Sequence, residues 1–589
     1  MKSFFKYLLA SILGVIIASL IIFFVTVGIF SALIASQDNA VDIDANTILW
    51  LQLNQPIKDR KPSMPMLVYN LSNVGAENQL GLNDILNNID KARRDANIRG
   101  IYLELSQLQA GIATVEEIRN GLLDFKKTGK FIVAFSDGYS QGSYYLASTA
   151  DKIFLNPGGS VDFIGLSAEL MFYKKTLEKL DIKPEIIRHG KFKSAVEPFM
   201  YDKMSPENRE QIRTYVGSIW NHMVGQIAAS RNITADRLNN FADSLLLWNN
   251  HSAITYGMID AALYKDQVLD TLAHLVQVSN AKDLTLITHQ KYLRVPKTRS
   301  DKSFTRNKIA IIYAEGSIVS GEQGEGIIGA DKIARTIRNA RQDSAIKAIV
   351  FRVNSGGGSA LASEVIWREL YLARQVKPVI ASMGDVAASG GYYILAAADT
   401  IVASPNTITG SIGVFGLLVN ARDFFENKLG ITTDVEKTNA YSDFASIYRP
   451  LSGSERVVLQ KMIDEIYSTF VTRVSDGRKL SFESVDKIAE GRVWSGENAM
   501  ERGLVDVMGG LSTALEIAAK KAKLDNYRIV ELPKLEDPFT QIMKEFTGDI
   551  NERILRHELS DHYNQYRFMK QLINGDRIQA RLPFEITVH

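Results

Sequence analysis

Met383-Gly-Asp-Val-Ala-Ala-Ser-Gly-Gly-Tyr-Tyr-Ile-Leu-Ala-Ala-Ala-Asp399 has a counterpart in the same chain, Phe135-Ser-Asp-Gly-Tyr-Ser-Gln-Gly-Ser-Tyr-Tyr-Leu-Ala-Ser-Thr-Ala-Asp151. Asp137 meets Asp385, Gly142 meets Gly390, the Tyr144-Tyr145 pair meets Tyr392-Tyr393, and Asp151 meets Asp399, always 248 residues apart. The spacing holds without a gap from Ile98 (Ile346) to Gly165 (Gly413). It slips by two by the time Trp248 and Gly257-Met-Ile-Asp260 match Trp494 and Gly503-Leu-Val-Asp506. A repeat of this length means two domains of one fold.

Each copy reads as α/β. Ile349–Val353 and Pro378–Ser382 are short apolar runs with the composition of buried strands. Between them Ala360–Gln375 carries helical periodicity, and Gly391–Ala398 after the second run does so again. Strand–helix–strand alternation predicts a largely parallel sheet covered by helices. The expected division is 45–287 for the first domain, 288–308 for a solvated basic linker, 309–535 for the second domain and 536–589 for a helical extension. Within that extension Phe539–Asn574 reads as amphipathic helix with evenly mixed charge.

The amino-terminal segment differs in kind. Between Tyr7 and Gln37 there is no charged residue. A signal-peptide core runs to about 7–15 residues, whereas a bilayer-spanning helix needs about 20, so residues 1–37 are expected to be a transmembrane anchor. Lys2 and Lys6 precede the span and Asp38, Asp42 and Asp44 follow it. The positive-inside rule therefore puts the amino terminus in the cytoplasm and the body outside; in a Gram-negative cell that is the periplasm.

Composition excludes several chemistries. There is no cysteine among the 589 residues, which removes disulfides, thiolate metal sites and a cysteine nucleophile. The eight histidines fall in no metal-ligand spacing, so a metal enzyme is not expected. With 68 basic and 66 acidic side chains there is no nucleic-acid footprint.

A duplicated fold needs one core twice, so the mismatched positions carry the functional information. Ser389 stands where a strand ends and a helix begins, among small neighbours that leave a hydroxyl accessible, and its counterpart is Gln141. Asn354-Ser-Gly-Gly-Gly-Ser359 follows a predicted strand, where consecutive glycines let backbone N–H groups turn toward a substrate oxygen; its counterpart Ser106–Gly111 is bulkier. No histidine lies between His289 and His557, so the serine's own domain supplies no imidazole base. A desolvated lysine can replace it, because burial strips its proton. Gly190-Lys-Phe-Lys-Ser-Ala-Val-Glu-Pro198 in the first copy offers Lys191 and Lys193, and Tyr441 stands opposite Lys193 in the second. One half keeps a nucleophile, the other a base.

Arg352-Val-Asn-Ser-Gly-Gly-Gly-Ser359, Met383–Tyr392, Thr409-Gly-Ser-Ile-Gly-Val414 and Gly190-Lys-Phe-Lys-Ser-Ala195 together resemble the long, duplicated bacterial signal peptide peptidase A family, over nearly everything from the anchor to about residue 535. The resemblance implies two tandem Clp protease/crotonase-like domains and a homotetramer, probed by hydrophobic peptide substrates, the cleaved signal peptides, at the outer face of the inner membrane. It implies Ser389 as nucleophile, Lys193 and not Lys191 as general base, and Ser411 as the residue that orients the lysine; Ser411 faces Phe163 in the first copy. Gly356 stands where the family has proline, so the loop is expected to be more pliable. The N–H groups of Gly357 and Gly358 are the expected oxyanion donors. Competing readings are a related membrane-bound protease acting on other exported proteins or lipoproteins, and a crotonase-like acyl-CoA enzyme.

Overall fold

The computed structural model describes residues 2–37, 41–61, 79–106, 108–296, 305–535 and 578–582. The repeat appears as two parallel sheets. In the first, the strands run Ala261–Ala262, Lys152–Leu155, Phe131–Ser136, Ile98–Glu104, Thr47–Gln52 and Leu286–Thr288 from edge to edge, all parallel. In the second, the order is Val493–Ser495, Ile408–Gly410, Val379–Ala388, Ile346–Ser355, Lys308–Glu315 and Arg528–Leu532. There Thr400–Ala403 also pairs with Val379–Ala388, and only the Val493–Ser495 pairing in that path is antiparallel. Central strands such as Ile349-Val-Phe351 are apolar without alternation because helices cover both faces.

The helices repeat as well. Ile112–Lys126 answers Ala360–Arg374, and the long Pro206–Arg231 answers Gly453–Arg478. Equivalent buried hydroxyls make equivalent bonds. Tyr144 donates to the Met258 carbonyl as Tyr392 does to that of Leu504, and Tyr145 donates to Glu116 as Tyr393 does to Glu364. The matched tyrosines are therefore packing residues, with hydroxyls satisfied inside the core.

Two predicted boundaries shift. The expected strand at 378–382 continues to Ala388, so the strand carries the chain to the residue before Ser389. The expected linker 288–308 begins with structure: Thr288 ends a strand of the first sheet and caps the helix His289–Tyr292. His289 and Tyr292 are buried there, and Asn88 donates to the His289 carbonyl. The basic character of the stretch hid these two core-facing side chains. Residues 297–304 of that linker, and the helices expected over Phe539–Asn574, lie outside the described residues.

A third sheet joins the halves, in the order Ile327–Gly329, Ser317–Val319, Gly357–Ser359, Ile578–Arg581, Phe415–Asn420 and Lys183–Arg188. Its last pairing is antiparallel, Arg188 opposite Phe415 through Lys183 opposite Asn420, and it brings a first-half strand onto the second half. Lys193 follows five residues later.

Lys2–Gln37 forms one helix. Its side chains at 26–37 are outside the described residues, and among those described no helix is long and apolar enough to cross a membrane. The described side chains Phe4, Leu9, Val15, Ile22 and Phe24 are exposed and apolar.

Candidate active site

Val379–Ala388 ends against Gly390–Leu395, and the single residue between strand and helix is Ser389. Its φ of +55° and ψ of −118° are a conformation that side chains avoid, at a cost of about 1–3 kcal/mol. Two hydrogen bonds hold it there: its N–H donates to the Gly410 carbonyl (2.8 Å), and Tyr393 N–H donates to its carbonyl (2.9 Å). The hydroxyl, expected from its small neighbours to be accessible, is fully buried here.

Lys193 reaches that hydroxyl from the other half of the chain. Its Nζ lies 2.8 Å from Ser389 Oγ and 3.1 Å from both the carbonyl oxygen and Oγ of Ser411. Lys193, Ser389 and Ser411 are all fully buried. Burial pushes the Lys193 amine well below the ordinary lysine value of 10.5. A neutral amine has two N–H bonds and one lone pair, and the three contacts match that count. Ser411 accepts two hydrogens, while the lone pair is left for the proton of Ser389. The structure thus brings together three of the residues singled out from the sequence. Lys191 is not among them: its side chain is 62% exposed and pairs with Glu490.

The lysine is aimed by interlocked loops. Gly190 (φ +88°) lies against Glu490, whose carbonyl accepts the Phe192 N–H (3.1 Å). Gly491 (φ +83°) lies against Lys193 itself, so that a Cβ there would stand 2.7 Å from the lysine Cα. Ser411 also has positive φ (+50°), and its N–H donates to the Arg492 carbonyl (2.7 Å). Behind the lysine, Gln211 Nε2 donates to Ser194 Oγ (2.7 Å) and to the Phe192 carbonyl (3.2 Å), while its Oε1 accepts the Val493 N–H (3.1 Å). Buried Glu197 accepts from Ser205 and Asn208. Sequence reasoning missed Gln211, Asn208 and Glu197. Glu197-Pro198 beside the lysine motif was the one signal available. His189, near the same loop, stacks on Tyr467 and pairs with Asp464 (2.7 Å).

The two halves are clasped by buried charge. Arg352, on the strand leading to the glycine loop, lies against Asp59 (2.8 Å) and Glu117 (2.7 Å) of the first half and donates to Ser382 Oγ and the Met383 carbonyl. Burial opposes its charge, but the two carboxylates outweigh burial and hold the guanidinium protonated. Asp385, just before Ser389, reaches across to Thr114 at the start of Ile112–Lys126.

The glycine loop departs in part from expectation. Gly357 (φ +97°) is in contact with the residue after the serine, since a Cβ on it would come 2.7 Å from Gly390 N. Its own N–H, however, donates to Ser355 Oγ (3.1 Å) and is already engaged, which weighs against the expected role. The serine side chain there captures a donor that the glycine spacing alone suggested was free. Gly358 sits in the third sheet opposite Ala580. Among the described residues no cluster of three or more His, Asp and Glu side chains is arranged to hold a metal ion.

A buried hydroxyl in a strained strand–helix turn, set against a buried amine whose charge burial disfavours, is an arrangement that suits a serine protease in which lysine takes the place of histidine. Peptidase family S49 matches the chain twice, at residues 124–279 and 372–525, and the two matches begin 248 residues apart, as the repeat does. The chain belongs to that family. It is 38% identical to Protease 4 of Salmonella typhi over 79% of this chain and 76% of that protein. It is 39% identical to Protease 4 of Haemophilus influenzae over 74% and 72%, and 34% identical to the chloroplastic serine protease SPPA of Arabidopsis thaliana over 80% and 70%.

Proposed function

We propose that this serine protease is a single-pass, membrane-anchored endopeptidase that degrades signal peptides after they have been cut from exported proteins. The observation that carries the chemistry is the 2.8 Å contact between Lys193 Nζ and Ser389 Oγ inside a fully buried site. Lys193, neutral, takes the Ser389 proton as the oxygen attacks a peptide carbonyl carbon. The resulting oxyanion is received by backbone amides of the glycine loop and of Gly390, with Gly358 favoured over Gly357 because the latter already donates to Ser355. Lys193 then returns the proton to the departing amine, and water, deprotonated by the same lysine, releases the acyl group. Ser411 orients the amine.

The substrate reading rests on the uncharged run Tyr7–Gln37, which would tether a Clp protease/crotonase-like body, as a homotetramer, beside the periplasmic face of the inner membrane, where released apolar peptides collect. The test uses the full chain in lipid vesicles with a synthetic signal peptide and an unfolded soluble protein of equal length. Preferential cutting of the former, mapped by mass spectrometry, is the expected result. Equal or reversed preference would move the assignment to other exported proteins.

A further inference from the structure

His189 stands where the chain leaves the strand Lys183–Arg188 and turns toward Lys193. Its backbone N–H donates to the Val414 carbonyl of the serine-bearing half (3.2 Å). Its side chain grips that half a second time. The imidazole lies nearly parallel on the ring of Tyr467, with centroids 3.8 Å apart and an interplanar angle of 22°. Its Nδ1 bonds to Asp464 Oδ1 (2.7 Å), which also accepts from Gln460 Nε2 (2.9 Å). Tyr467, Asp464 and Gln460 all lie on the long helix Gly453–Arg478. The matching position of the other copy, 248 residues on, is Lys437, which pairs with Asp443 (2.6 Å). The imidazole is thus one more place where the copies have parted.

What the imidazole covers leads to the general base. Tyr467 is buried; its hydroxyl donates to Asp486 (2.6 Å) and accepts the N–H of Glu490 (3.3 Å). The Glu490 carbonyl accepts the Phe192 N–H (3.1 Å), and Gly491 presses on the backbone of Lys193. Ring on ring, hydroxyl on amide, carbonyl on amide and glycine on lysine make a continuous path. His189 itself touches no reacting atom. The charged and titratable groups around it are Asp464 and Tyr467 in direct contact, and Asp486 and Glu490 beyond the tyrosine. On its own segment Lys191 pairs with Glu490 (3.6 Å), and Arg188 Nη1 donates to the Lys193 carbonyl (3.4 Å). Near the start of the helix Arg456 pairs with Glu185.

We infer that His189 is a positioning residue for the reaction: by seating the Tyr467 ring it holds the Glu490–Gly491 turn against Lys193 and keeps water from the amine. The inference rests on the Ser389–Lys193 reading above and adds to it what keeps the base dry. Burial is the cause of the low proton affinity of Lys193. A turn that lifts away admits water, and a hydrated lysine regains its ordinary affinity for a proton. The lost activity is then recoverable by raising the pH, which distinguishes this role from general damage to the fold.

The test measures kcat and KM of the full chain on a fluorogenic peptide of apolar residues, from mildly acidic to alkaline pH, with circular dichroism confirming the fold. In His189→Ala the midpoint of kcat/KM should move toward 10.5 by about one pH unit. The rate on the rising limb then falls about tenfold and returns on the plateau, with KM unchanged. His189→Phe keeps a ring on Tyr467 and should restore the midpoint. Tyr467→Phe keeps the stack but loses the hydroxyl that holds Glu490, and should move the midpoint as His189→Ala does. A midpoint that stays in place in folded His189→Ala or Tyr467→Phe, or a shift that His189→Phe fails to restore, overturns the inference. So does a kcat lowered equally at every pH. Lys193→Ala, run alongside, separates this from failure of the underlying reading. If it is inactive and the native chain shows the rising limb while His189→Ala moves nothing, the positioning role alone falls. If Lys193→Ala turns over peptide as the native chain does, the Ser389–Lys193 reading itself falls.

Discussion

Thr114 gives both its backbone N–H (2.8 Å) and its hydroxyl (2.7 Å) to the carboxylate of Asp385, across the boundary between the two halves. Thr114 lies in the first turn of Ile112–Lys126, so a residue of the serine-bearing strand caps a helix of the lysine-bearing half. The service is returned. Glu117 of that helix accepts the N–H of Leu511, the first residue of Leu511–Lys521 in the other half (2.7 Å). Arg352 sits between the two caps. The distance from Lys193 to Ser389 is therefore set by how the halves dock.

Breaking that clasp should be costly. Arg352→Met leaves Asp59 and Glu117 buried without their cation, a loss of about 3–5 kcal/mol. The expected outcome is a lower denaturant midpoint, measured by urea unfolding. Adding Asp59→Asn and Glu117→Gln should recover part of the loss, because the stranded charges are then gone.

Ser389→Ala and Lys193→Ala should each abolish cleavage while the chain stays folded. Ser411→Ala should keep activity but lower kcat roughly tenfold or more, since the amine keeps one of its two acceptors. Peptide turnover with melting curves on the same samples checks both halves of the statement.

The pH dependence follows from the depressed Lys193 value. With Lys193 as the proposed base, activity requires the neutral amine, so kcat/KM should rise with pH to a plateau, with its midpoint well below 10.5. Stability should move in the same direction. Between the lowered folded value and 10.5, the unfolded state binds a proton that the folded state does not, so stability rises with pH by about 1.4 kcal/mol per unit across that window. Lys193→Met should remove this slope, and the difference between the two proteins in urea unfolding at several pH values measures it.

Gly491→Ala should injure the chemistry more than substrate binding. Its Cβ would meet the lysine backbone at 2.7 Å in a conformation with φ of +83°, pushing Lys193 away from Ser389. A fall in kcat with KM retained is expected, read from the same peptide assay.

The sequence revealed whatever the repeat could expose. Paired motifs such as Tyr144-Tyr145 and Tyr392-Tyr393 betrayed two like cores, and Gln141 opposite Ser389 marked where the copies had parted. Residues that act by meeting a distant partner had no such signature. Gln211 is one polar residue on a long helix until Val493 is known to lie beside it. Asp385 matches Asp137 and so read as shared packing, yet in the first copy that aspartate accepts from Asn156 at the surface instead of capping a helix of the other half. Ile578–Arg581 is four residues of ordinary alternation, and only the two flanking edges give it a meaning.

The strand pairing that carries Lys183–Arg188 onto Phe415–Asn420 has a consequence in time. A ribosome that has released the first 380 residues has delivered the amine and no alcohol to receive it. A product that stops before Ser389 is therefore an amine without its nucleophile, and the pair comes into being only once the second half has been made.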